Sequence, residues 1–142
     1  EKRIVSVIEV LESLNEILKH GQLQVGYRSR DEIVLFVLNA SELEEYFVTD
    51  SGLAVDPLDL AIHMKILPRI IGGGHAVKRV VRELLIWAWD GTRSDKEPAA
   101  LIDVWDKAGR PESIEEARYG RTAARLCLMY ERFAEGFTSY WL

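Results

Sequence analysis

Residues 25–36 read Val25-Gly26-Tyr27-Arg28-Ser29-Arg30-Asp31-Glu32-Ile33-Val34-Leu35-Phe36. Ser29 and Glu32 have the S-x-x-E spacing of a capping box, in which the serine takes the N3 backbone N–H and the glutamate reaches back to the N-cap N–H. The spacing predicts a helix that starts at Arg30. Arg28 then lies just before the cap and Arg30 just inside it, so two guanidiniums face the same way as the free N–H groups. The helix dipole and a planar five-donor fork both favour an anion there. Asp31 and Glu32 share this first turn and satisfy the dipole internally, so the stretch also reads as an ordinary capped helix with two solvated arginines.

Outward from this stretch the chain reads as helix after helix. Upstream, Ile4, Val7, Ile8, Leu11, Leu14 and Leu18 repeat at helical spacing, predicting a helix from about Arg3 to Lys19 with Gly21 as its C′ residue. Gln22 to Val25 alternates and reads as extended. Downstream, the capped helix runs to about Asn39, and Ser41 to Glu44 repeats S-x-x-E, predicting a short helix to about Val48. Thr49 to Val55 is a turn-rich link around Ser51-Gly52. Asp56-Pro57 is an N-cap followed by proline at N1, with Asp59 placed for the dipole of that same helix. The helix from Pro57 to Leu67 is apolar all round, as a helix buried on more than one side must be, and Pro68 ends it.

Gly72-Gly73-Gly74 reads as a flexible turn between helices. Next come a helix from His75 to Trp89 with Val77, Val80, Val81, Leu84 and Ala88 inward, and a charged loop from Asp90 to Lys96. A helix from Pro98 to Gly109 follows, with Leu101, Ile102 and Trp105 apolar. Ser113 and Glu116 form a third capping box, predicting that the last helix opens at Pro111 to Glu116. Its face is Tyr119, Ala123, Leu126, Tyr130 and Phe133, with a stop at Glu135-Gly136 and an aromatic tail from Phe137 to Leu142. The expectation is a single helical domain over residues 1–142, an all-α, irregular bundle of six or seven short helices.

With 142 residues, 48% of them hydrophobic and 29% charged, the chain has enough apolar surface for a core. A net charge of -5 argues against a domain-wide nucleic-acid footprint. No apolar run approaches the ~20 residues of a membrane span. The first residues lead straight into a helix and do not form a signal peptide, which fits an excised piece of a longer chain. The lone Cys127 precludes an internal disulfide framework and suits a reducing cytoplasm.

The chemistry-bearing patterns are few. There is no G-x-x-x-x-G-K-S/T, so nothing here holds Mg²⁺ and phosphates unaided. Gly72-Gly73-Gly74-His75, with Lys78 and Arg79 behind it, could cradle a phosphate, but no strand signal precedes it. His20, His63 and His75 share no metal-ligand spacing with Cys127, so no metal site is expected, and no catalytic residue. His63 reads as a hydrogen-bonded core or interface histidine, Cys127 as inert core. Trp87, Trp89, Trp105 and Trp141 read as core or interface anchors.

Three blocks carry a resemblance. The first is Leu14-Asn15-Glu16 with Val25 to Ile33. The second is Asp59 to Gly72, containing Ile66-Leu67-Pro68-Arg69-Ile70. The third runs from Arg118 to Trp141, with Arg121-Thr122-Ala123-Ala124-Arg125-Leu126, Met129 and Glu135-Gly136-Phe137-Thr138-Ser139-Tyr140-Trp141. In this order they resemble the C-terminal part of McrB-like AAA+ proteins, the motor subunits of 5-methylcytosine-specific restriction systems and their relatives. The resemblance implies a non-catalytic helical lid that closes over a nucleotide, with the P-loop core elsewhere. ATP or GTP with Mg would be the cofactor of the full-length protein and not of this piece. The implied partners are the AAA+ core domain, neighbouring subunits of a ring and a McrC-like nuclease, with DNA contacted by other domains. Arg28, with Arg30 in reserve, is implied as the nucleotide-sensing arginine. The alternative is a stand-alone helical protein–protein interaction module, suggested by four tryptophans and an acidic surface.

Overall fold

The computed structural model describes residues 2–43, 46–49, 52, 54–90 and 97–141. Six α-helices occur among them: α1 Lys2–Leu18, α2 Tyr27–Glu42, α3 Pro57–Lys65, α4 His75–Asp90, α5 Pro98–Lys107 and α6 Gly120–Glu131. Short 3₁₀ turns follow α1, α3 and α6. The fold is an all-α irregular bundle. Packing runs in a closed circuit, α1 on α2, α2 on α3, α3 on α6, α6 on α4 and α4 back on α1, with α5 laid against α4 and α6.

The most enclosed element is α4. Its inward stripe of Val80, Val81, Leu84 and Ala88 is buried as the spacing requires, and its C-terminal half is buried on every side, Leu84 through Trp89. Such a helix needs partners for its last carbonyls, which no water can reach. They come from the chain entering α6: Tyr119 N–H donates to the Ala88 carbonyl at 2.8 Å and Arg118 N–H to that of Trp89 at 2.9 Å. Tyr119 then stacks on Trp87, centroids 4.9 Å apart, and Trp87 donates its indole N–H to Ser13 of α1.

Four sequence expectations move. First, α2 begins at Tyr27, not Arg30; Gly26 is its N-cap, extended at φ -82°, with no side-chain cap. The Arg30 N–H is already bonded to the Gly26 carbonyl, so Ser29 and Glu32 lie inside the helix and form no capping box. Second, Ser41 does not open a new helix. Its hydroxyl donates back to the Val37 carbonyl in the last turn of α2; Glu44 of that motif lies outside the described residues, as do Glu45, Ser51 and residues 91–96 of the charged loop. Third, the left-handed residue after α1 is Gln22 at φ 57°, not Gly21. Fourth, α6 opens at Gly120, well past Ser113, because its first N–H groups are satisfied from another helix. Asp59 of α3, 5% exposed, accepts from the N–H groups of Arg121 and Thr122, each at 2.9 Å. The Asp56 cap and Pro57 start of α3 are as expected, with Asp56 accepting from Leu58 N–H.

The glycine run is not a free turn. Ile71–Gly72 forms a strand, β1, antiparallel to β2, Thr138–Ser139, pairing Ile71 with Ser139 and Gly72 with Thr138. At Gly73 a Cβ would overlap the Gly136 carbonyl oxygen, so only glycine permits this approach. The aromatic tail is therefore folded back onto the body. Thr138 is buried, its hydroxyl donating to the Met129 carbonyl at 2.7 Å. No described helix is long and apolar enough to cross a membrane.

Candidate functional site

The start of α2 is built as a braced corner. After α1 the chain runs extended through residues 23–26. Extended backbone beside a helix leaves its polar groups unpaired unless side chains reach them. Asn15 of α1 does so twice, accepting from Val25 N–H at 2.6 Å and donating to its carbonyl at 3.0 Å. From the other side Arg69, in the 3₁₀ turn after α3, donates to the Gln24 carbonyl at 3.2 Å. Val25 is buried between these supports. Two elements thus fix the residue pair immediately before the Gly26 N-cap.

On this corner the two predicted arginines differ. Arg28 is the second residue of α2 and is exposed, and among the described residues its guanidinium has no partner. Arg30 is half-buried and occupied: it is paired with Asp31 at 3.2 Å and lies over the Tyr27 ring at 4.7 Å. The N–H groups of Tyr27, Arg28 and Ser29 have no side-chain cap. The corner therefore offers an uncapped helix N-terminus, a positive dipole end and one free guanidinium.

The other singled-out residues lie apart from it. His63, on α3, is half-buried and hydrogen-bonded through Nδ1 to the Tyr140 hydroxyl at 3.2 Å. Burial, then the nearby Arg125 guanidinium, hold its pKa below the ordinary histidine value. Cys127 is fully buried, and burial pushes its thiol up to about 12, so no thiolate forms near neutral pH. Of the glycines before His75, Gly72 is paired in the strand and Gly73 lies against Gly136. Behind them, Lys78 sits over Tyr130 and Arg79 pairs with Glu83. Trp87, Trp89 and Trp105 are buried, whereas Trp141 is 74% exposed.

Sequence reasoning did not find the braces. The signal was present in part, since Asn15 and Arg69 both fall within the blocks of the resemblance. Their partners are backbone groups of Val25 and Gln24, which no residue pattern displays.

A family model described as "Domain of unknown function (DUF8727)" matches residues 1–137. The chain belongs to this family. No curated protein and no solved structure matches it. In this DUF8727 domain the matched span takes in the corner at α2, both braces, α6 and the approach to β2.

Proposed function

We infer that the chain is the nucleotide-responsive helical lid of a McrB-like AAA+ NTPase. The observation that carries this is the braced, uncapped start of α2 with Arg28 free upon it. A triphosphate bound by a separate P-loop core presents its γ-phosphate as a multiply charged oxyanion. An exposed guanidinium beside free helix N–H groups makes charge-assisted contacts to such a group, and those contacts weaken when it leaves. The braces matter because a sensor has to transmit force. Asn15 ties the corner to α1, and Arg69 ties it to the turn behind α3, so a pull on Arg28 moves the bundle as one body.

The lid is non-catalytic by itself. ATP or GTP with Mg belongs to the full-length protein, together with a ring of AAA+ subunits and a McrC-like nuclease, and DNA is handled by other domains. A cytoplasmic setting fits a buried free cysteine. Two results test the reading. The purified chain should turn over neither ATP nor GTP; robust hydrolysis by it would refute the lid. The gene upstream of Glu1 should encode G-x-x-x-x-G-K-S/T. A start codon at Glu1 with no such motif would favour a stand-alone helical interaction module, for which the exposed Trp141 would be the anchor.

A further inference from the structure

A second feature lies between α3, α5 and α6. A cleft of about 280 Å³ is lined by His63, Trp105, Arg110, Glu112, Arg121 and Arg125, among others. The three guanidiniums are not equivalent. Arg110 is neutralised: it bonds Asp106 at 2.7 Å and Glu131 at 2.9 Å while lying over Trp105. Arg125 donates to the Tyr140 carbonyl at 3.2 Å and lies over the Tyr140 ring, contacts that leave its charge unopposed. The Arg121 side chain has no hydrogen-bond or ion-pair partner among the described residues; only its backbone N–H is used, by Asp59.

Arg121 and Arg125 are therefore two like charges at i and i+4 on one rigid helix. Such a like-charge pair disfavours the helix unless an anion lies between them. Only Glu112 among the lining residues opposes them. Burial first, then Arg125, holds the His63 pKa down; Arg121 adds to this, while Asp59 and Glu112 act against it.

We propose that this cleft binds a phosphate dianion, held by Arg121 and Arg125 with His63 as a third ligand. A carboxylate carries one charge on two oxygens in a single plane, whereas a phosphate dianion carries two charges on a tetrahedral set of oxygens and so suits two guanidiniums approaching from different directions. The site is independent of Arg28 and of the lid reading. The same chemistry could be supplied by free phosphate or by a phosphomonoester.

The test is a titration of the 142-residue chain with inorganic phosphate at constant ionic strength, following the His63 ring and the Arg121 and Arg125 guanidiniums by NMR. Parallel titrations use glycerol phosphate and acetate. Saturable shifts confined to these groups are expected with phosphate and not with acetate; the tighter of phosphate and glycerol phosphate identifies the source. Arg121→Gln should weaken binding at least about tenfold, as loss of one charge-assisted partner does. That variant keeps the backbone bond to Asp59 and relieves the like-charge pair, so its melting temperature should not fall below the parent's. Arg125→Lys, which keeps the charge but not the fork, should also weaken it, and Arg79→Gln on α4 should not. Non-saturating shifts, acetate binding as well as phosphate, or unchanged affinity in Arg121→Gln would each overturn the proposal.

Discussion

Arg28 and Arg30 are two positions apart, yet their surroundings divide them. Arg30 is already spent on Asp31 and Tyr27, while Arg28 is exposed and has no partner among the described residues. Ser29, between them, sits inside α2 and caps nothing. Ser29→Ala should therefore change stability by no more than about 0.5 kcal/mol, not the ~1 kcal/mol of a lost N-cap, as a denaturant melt would read. His63 carries a pH prediction. Its folded pKa lies below the ordinary histidine value of 6.5, so the folded state binds fewer protons than the unfolded one near that pH. The resulting stability is fully present above 6.5 and is lost as pH falls through the lower, folded value. Arg125 and Arg121 push in this direction after burial, while Asp59 and Glu112 push against it. Melts across pH 5 to 8 should show this slope flattened in His63→Phe. An unchanged slope would place the titration elsewhere.

Among the elements, α6 depends most on a residue distant in sequence. Asp59 accepts two of its N-terminal N–H groups, and Thr122 returns a hydroxyl bond to the Asp59 carbonyl. Asp59→Ala would strand those N–H groups in the interior, at a cost of about 2–4 kcal/mol and a melting temperature lower by roughly 10 °C. A shift within about 2 °C would show that α6 does not rely on this cap. Gly73→Ala should separate β1 from β2 by pushing away Gly136, seen as lost hydrogen-exchange protection at Ile71 and Thr138. The same two places show what the sequence could and could not disclose. Helical periodicity alone placed the inward faces of α1, α4 and α6, because it follows from which side chains must leave water. Helix starts were misplaced at Ser29, Ser41 and Ser113, because a local S-x-x-E pattern cannot reveal that Gly26 starts a helix earlier or that Asp59 supplies a cap from 62 residues away. The strand pair was missed because its two-residue strands are too short to show alternation.

For the whole molecule, the closed circuit of helices joins the α2 corner to the rest of the body through Asn15 and Arg69. Asn15→Leu should loosen that corner without unfolding the core. Under the proposed lid function, it should slow nucleotide turnover by the intact protein less than loss of Arg28 itself, because the guanidinium remains. The fold class was legible from patterning. The identity of the free arginine was not, since both candidates flank the same predicted cap and only the packing of Tyr27 and Asp31 separates them. The decisive measurement is the NTPase rate of the intact protein carrying Arg28→Ala, taken beside its melting temperature. Arg28 is exposed and leaves no cavity, so stability should shift by no more than about 0.5 kcal/mol, while turnover should fall on the order of 10²–10³-fold, as for loss of a preorganised electrostatic donor. Wild-type turnover in Arg28→Ala would contradict the sensor role and return the start of α2 to an ordinary helix end.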